Sequence, residues 1–444
     1  MESTIRYDEA LPSLASAVID VMGDDFLKRN LILRDADGLL TFVIREVVES
    51  SQKHSLSVEI LNRIGVYGAN PIVATPDELY DPRLADPNKD EWELVTLKTG
   101  QSFYTRYIER RIVGSDWVRG IFPTIVDAPP VVVFASHKGG VGRSTALTVA
   151  SKKFADAGKS ILAIDLDLEA PGIGGMLLEN HEIPLYGAID YYVECGRGRV
   201  GDDFIASMVA ESTAERWPGK ITIVPAAGAA CRRNPQNVLG KISRAYLETD
   251  SFGGDGQGSF LDKTRELIKD LSRCGRYDVI FIDARAGLNE STAATIQGLG
   301  ADILFFGVDT PQTWEGYRYF LSHLARFKST ATQESDWRYK LKMVHAKAID
   351  SHDSLIGFRD RSFELFAEHI YDEIGEDESA QGLVDAFGFD LDDQSAPHYA
   401  WPIFMDEAYY EFNPGENAEQ FGEEQVERAF GEFINNLSER LGIS

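Results

Sequence analysis

Val131–Thr145 reads VVVFASHKGGVGRST, and the fold turns on this stretch. The apolar, β-branched run Val131–Ala135 predicts a strand buried on both faces, as the strands of a parallel sheet are. Ser144–Lys159 predicts a helix with Leu147, Ala150 and Phe154 along one face and Gly158 near its C-terminus. Between them Gly139, Gly140 and Gly142 let the backbone turn tightly, so that successive N–H groups and the new helix's first turn converge on an anion. A strand, a glycine-rich turn carrying Lys138, Val141, Arg143, Ser144 and Thr145, and a helix in register make a phosphate-binding unit.

The loop departs from the ordinary G-x-x-x-x-G-K-[ST] pattern in three places. His137 stands at the first glycine, Arg143 at the lysine, and an additional Lys138 precedes the glycine pair. In this it resembles the deviant Walker A motif, KGGxGK[ST], of the MinD/ParA-type (SIMIBI class) ATPases, in a KGGVGR branch. The resemblance implies that Arg143 holds the β- and γ-phosphates of ATP, Ser144 ligates Mg²⁺ and Thr145 contacts the α-phosphate. It also implies that Lys138 reaches the phosphates of a partner subunit. Arginine is always charged and grips phosphate oxygens bidentately, although it is bulkier than lysine.

Two further segments carry carboxylates at strand ends. In ILAIDLDLEAPG (Ile161–Gly172), Asp165 closes an apolar run, and alternation puts Asp167 on the same side of the chain. Each also has the plainer reading of a side chain that caps a turn. By resemblance this is the switch I segment, in which Asp165 orients a Mg²⁺-bound water and Asp167 positions the attacking water, with Glu169 as the alternative. YDVIFIDARAGLNE (Tyr277–Glu290) ends its strand in Asp283, as a Walker B segment does. A carboxylate there holds the waters of an octahedral cation that dehydrates reluctantly. Arg285 replaces the proline common in the family, and it either senses the γ-phosphate, pairs with a switch carboxylate or bridges to a neighbouring acidic helix. For base recognition, HAKAID (His345–Asp350) spaces its Asp one residue too far from Lys347 for the [NT]KxD pattern of GTP-selective proteins. ATP is therefore expected, with Lys347, Pro311 and Pro402 as candidate borders of the adenine.

From the loop onward short apolar runs alternate with amphipathic stretches. The runs are Val131–Ala135, Ile161–Asp165, Ile221–Ala226, Val279–Ala284, Ile303–Val308, Met343–Ala346 and Trp401–Met405. This predicts an α/β fold, a mostly parallel doubly wound P-loop NTPase sheet over residues 126–444 with ligands at the C-terminal strand ends. Residues 1–125 predict a small α+β domain, with a helix over Asp8–Arg29, a strand around Leu39–Val48 and a helix near Ser55–Arg63. Arg106, Arg110, Arg111 and Arg119, interleaved with Phe103, Tyr104, Tyr107 and Trp117, admit a single-stranded nucleic acid site. The interposed Glu109 and Asp116 favour an ordinary amphipathic element. Asp250–Gly258 and Asp372–Asp393 read as exposed loops.

The 444 residues carry a formal charge of −27, which repels nucleic acid and anionic lipid at long range. A DNA partner and a membrane role are thus disfavoured. The C-terminal stretch Val426, Phe430, Phe433, Ile434, Leu437 and Leu441 has helical spacing. Its opposite face holds Glu424, Glu427, Glu432 and Glu439, so a helix packed on the domain is expected, not a membrane anchor. No apolar stretch is long enough to span a bilayer and the N-terminal residues lack a signal-peptide core, which points to the cytoplasm. Cys195, Cys231 and Cys274 are scattered, giving neither a disulfide framework nor a CxxC metal pair, and are expected as buried thiols. The leading expectation is a Mg²⁺-dependent ATPase that forms a homodimer with ATP and engages a protein partner, in a defence or signalling system. The alternatives are a nucleotide-binding scaffold without useful turnover and a ParA-like partition ATPase binding DNA.

Overall fold

A computed structural model describes residues 5–89, 91–96, 100–111, 114–197, 200–213, 217–249, 258–328, 336–372, 386–414 and 416–443. The chain forms two compact units, Met1–Val118 and Arg119–Ser444.

In the first unit the expected helix over Asp8–Arg29 is two helices, Tyr7–Met22 and Asp24–Arg29. Gly23 breaks it at φ 91°, a conformation that a residue with a Cβ adopts only at a cost. Five strands follow: β1 (Leu31–Arg34), β2 (Leu40–Val43), β3 (Gly68–Ala74), β4 (Glu91–Thr96) and β5 (Ser102–Glu109). They form a mixed sheet in the order β3-β2-β1-β5-β4. The strand expected to reach Val48 stops at Val43. Beyond it the Asn30 side chain accepts the Arg45 N–H at 2.8 Å and donates to Glu46, so side-chain bonds replace the ladder. Leu14 and Val18 of the first helix and Leu56 and Ile60 of the helix Ser50–Ile64 pack with Phe42 and Tyr107 of the sheet. Half of the basic and aromatic cluster lies on β5, where Phe103, Thr105 and Tyr107 are buried in alternation. Arg106 donates to the carbonyls of Lys28 and Pro87, Arg110 pairs with Asp81, and Arg111 pairs with Glu109.

The second unit carries all seven apolar runs as strands. These are β6 (Val131–Ala135), β7 (Ser160–Asp165), β9 (Lys220–Val224), β10 (Val279–Asp283), β11 (Asp302–Gly307), β12 (Leu341–Ala348) and β13 (Trp401–Phe404). A short strand not anticipated from the sequence, β8 (Ala210–Glu211), joins the edge antiparallel to β9. The order is β13-β12-β11-β6-β10-β7-β9-β8, and every other neighbouring pair is parallel. All five residues of β6 and of β10 are buried, because helices cover both faces. On one face Phe306 meets Phe134 and Phe433, beneath the helices Arg143–Asp156 and Glu423–Leu441. On the other, Phe305 packs on Tyr317 and Phe320 of the helix Pro311–Ala325. From β6 the chain moves to β7 and β9 on one side and later returns to β11, β12 and β13 on the other. The reversal beside β6 opens the crevice in which doubly wound sheets bind their ligands.

The C-terminal helix behaves as its spacing predicts, burying Val426, Phe430, Phe433 and Leu437 and exposing Glu424, Glu427, Glu432 and Glu439. Among the described residues no helix is long and apolar enough to cross a membrane. Cys195 and Cys231 are buried, but Cys274, expected to be buried, is exposed because it ends the helix Phe260–Cys274 on its solvent side. Of the two expected loops, 250–257 and 373–385 lie outside the described residues.

Candidate functional site

The C-terminal ends of β6, β10 and β7 lie side by side, and each delivers part of one site. Past β6, Gly140 and Gly142 take positive φ, 75° and 92°, and Gly142 caps the helix that opens at Arg143. A Cβ built on Gly139, Gly140 or Gly142 would meet nothing within 4 Å. At Gly140 and Gly142 the glycine identity answers to the turn's dihedrals, and the space beside the backbone of all three is open to a ligand. His137 points elsewhere. Its ring lies against Gly316, where a Cβ would come within 2.1 Å of it, and edge-on to Phe320. The residue at the first glycine position thus packs on a neighbouring helix.

Asp283 at the end of β10 and Asp165 at the end of β7 are registered partners, so their side chains share a face. Ser144 donates to Asp283 Oδ2 at 2.5 Å, joining the loop's first hydroxyl to the strand end. The other oxygen, Asp283 Oδ1, is buried with no hydrogen-bond partner. Burial pushes this carboxyl up to about 6, against the pull of Arg143 and Ser144. Asp165 is fully buried, and its carboxylate accepts the N–H groups of Asp167 at 3.1 Å and Gly172 at 2.9 Å. Burial and then the charge of Asp283 drive its pKa well above the carboxylate range. Asp167 lies two residues beyond the strand end, accepts from Ala170 N at 3.2 Å and faces Arg143 Nη2 at 3.6 Å, an ion pair too long for a hydrogen bond. Its pKa is raised by burial and opposed by Arg143.

Arg143, only 7% exposed, donates Nη1 to the Ala284 carbonyl. Arg143 thus pairs with Asp167 and stabilises the charged form of Asp283, while burial pushes Asp165 and Asp283 toward their neutral forms, which a divalent cation at these strand ends would reverse. Among the described residues no three carboxylates, imidazoles or thiols gather closely enough to hold a metal by themselves. That suits Mg²⁺, which keeps several waters and takes the rest of its shell from a hydroxyl and substrate phosphates. The unpartnered Asp283 oxygen and the Ser144 hydroxyl fit such an ion.

Lys138 is exposed and donates to Gln312 at 2.9 Å, outside its own glycine turn. Arg285 pairs with the switch carboxylate Glu169 at 2.6 Å, one of the three roles its sequence position left open, and Tyr246 also donates to Glu169 at 3.2 Å. Thr145, Val141 and Gly142 border a narrow cleft of about 50 Å³ with Lys347 and Tyr409. Of the three candidate base contacts, only Lys347 lies there. Pro311 lines a separate open cleft with Lys138, and Pro402 a cavity beside His345. The Ala284 carbonyl, Tyr246 and Tyr409 were not legible as site residues. The only hint of Tyr409 was an aromatic pair, Tyr409–Tyr410, following a late strand.

No family model matches the chain, and no curated protein matches it. Solved structures of low identity do. The McdA–ATP complex from Cyanothece is 15% identical over 71% of this chain and 98% of its own, with a TM-score of 0.44. MinD from Pyrococcus horikoshii, complexed with Mg-ADP, is 18% identical over 71% and 98%, at 0.42. pNOB8 ParA bound to nonspecific DNA is 14% identical over 71% and 99%, at 0.40. The sheet order and the strand, glycine loop and helix at its centre define an α/β P-loop nucleotide-binding fold.

Proposed function

We propose that this chain is a Mg²⁺-dependent ATPase that pairs with a second copy when ATP is bound and so switches its engagement of a protein partner. The observation that carries the reading is the Ser144–Asp283 hydrogen bond at the mouth of the glycine loop, with the second Asp283 oxygen buried and unpartnered. Residues Gly139–Thr145 form the phosphate cradle of their own subunit. Ser144, Asp283 and Asp165 would hold Mg²⁺, directly or through waters, and the ion would neutralise charge on the phosphate oxygens. Arriving phosphates draw the Arg143 guanidinium from Ala284 and Asp167, which frees the Asp167 carboxylate to orient the attacking water. Lys138, already outside its own loop, reaches the site of the facing subunit as charge grows on the transferring oxygens.

Single-turnover hydrolysis tests this. The parent converts bound ATP to ADP only with Mg²⁺, whereas Asp167→Ala binds ATP normally and hydrolyses it at least a hundredfold more slowly, since a water-positioning group acts chiefly in the transition state. Lys138→Ala keeps its affinity within a few fold and loses ATP-dependent dimerisation.

One observation favours a second reading, a nucleotide-binding scaffold. Arg143 stands where the resembled motif has lysine and is committed to Ala284 and Asp167. A parent that binds ATP and never turns it over selects that reading. The charge of −27 favours a protein over DNA as partner. DNA binding that weakens steeply in a salt titration would select a partition role instead.

A further inference from the structure

We propose that Lys347 is a positioning residue of the phosphate loop, its ammonium group pinning the Gly140 carbonyl so that the loop is set for phosphate before any nucleotide arrives. The inference rests on the nucleotide reading above and deepens it.

Three independent features converge on Lys347. Its Nζ donates to the Gly140 carbonyl at 2.9 Å, across 207 residues of sequence. Its φ is 53°, in the left-handed region that a side chain with a Cβ avoids. The pairing of β12 with β13 shifts register between His345 and Ala348, a bulge that brackets Lys347. Bulges of this kind re-aim a side chain beside a functional site, and strained backbone persists where the surroundings fix it for a purpose. Here the bulge and the unfavourable φ turn the lysine out of the strand pattern and onto the phosphate loop.

The consequence follows from peptide geometry. The Gly140–Val141 peptide is planar and trans, so its C=O and N–H point in opposite directions. Anchoring the carbonyl on Lys347 turns the Val141 N–H to the other side, free to donate to an anion held by the loop. Glycine at 140 has positive φ and no Cβ contact to restrain it. Such a peptide flips readily unless its carbonyl is held. The lysine stem also walls the narrow cleft beside Val141, Thr145 and Tyr409.

The test uses the full chain, titrated with Mg-ATP and separately with inorganic tripolyphosphate, alongside thermal unfolding without ligand. Lys347→Met keeps the stem and removes the ammonium. Lys347→Gly removes both and relieves the left-handed strain. Both variants are expected to bind both ligands about tenfold more weakly than the parent, while Lys347→Gly unfolds at the parent's temperature or above it. A residue that merely braced the fold would instead lower the unfolding temperature of both variants, and that result overturns the proposal. So does parent-like affinity in Lys347→Met, or a loss confined to ATP and absent with tripolyphosphate. A parent that binds neither ligand defeats the nucleotide reading itself. A parent that binds both, with variants that match it, defeats only the role of Lys347.

Discussion

Both units set arginines beside carboxylates, and they do so in opposite ways. In the first, Arg110 meets Asp81 with 43% of its side chain exposed, and Arg106 spends its donors on backbone carbonyls. In the second, Arg143 is 7% exposed, pairs with Asp167 and acts on Asp283, and with Asp165 all three carboxyls are buried. Water reaches Arg110 in the first arrangement, and Asp81, though buried, keeps Arg83 as a second partner, so the Arg110 contact contributes little. The second buries carboxyl groups whose charged forms are costly at low dielectric, so that Asp165 and Asp283 are pushed toward protonation, an expense that folding alone does not require. Arginine paired at the surface belongs to the fold, and buried carboxyl groups pushed toward protonation mark the place of a ligand that would restore their charge.

Substitutions at three positions probe that contrast. Phe42→Ala empties a fully buried position in the first unit and should cost about 3–5 kcal/mol of that unit's stability. ATP affinity should stay unchanged. Denaturant unfolding and calorimetric titration read the two effects, and a large loss of affinity would erase the division of labour between the units. Arg143→Ala removes a charge-assisted contact of roughly 1.5–3 kcal/mol, so ATP affinity should fall roughly ten- to 150-fold, and Arg143→Lys should retain binding. Unchanged affinity in the alanine variant would mean that phosphate is held elsewhere. Arg110→Ala should move stability by less than about 1 kcal/mol and nucleotide binding not at all. A larger shift would show that Arg83 alone cannot satisfy Asp81 and that Arg110 does more than its exposure allows.

The second unit was far more legible in the sequence than the first, for a physical reason. Parallel strands buried on both faces must be continuous apolar runs, so Val131–Ala135 and Val279–Asp283 announce themselves. The half-buried strand β5 mixes Phe103 and Tyr107 with Tyr104 and Arg106 and shows only weak alternation. The four-residue strand β1 passes unnoticed between a helix and a turn. At the site, Ser144, Asp165 and Asp283 could be read because a glycine loop and strand ends fix where they fall. The bond from Lys347 to Gly140 could not, because it depends on a bulge that spacing does not encode. The Ala284 carbonyl beside Arg143 was equally hidden, since a backbone atom has no sequence signature.

The most direct test of the central claim is a calorimetric titration of ATP, with Mg²⁺ and with chelator, into the parent and into Asp283→Asn. The parent should bind more tightly with Mg²⁺. Asp283→Asn should lose that increment while the unliganded protein unfolds at the same temperature or higher, because a buried carboxylate with an unpartnered oxygen has been replaced by a neutral amide. An equal Mg²⁺ increment in both proteins would contradict the account.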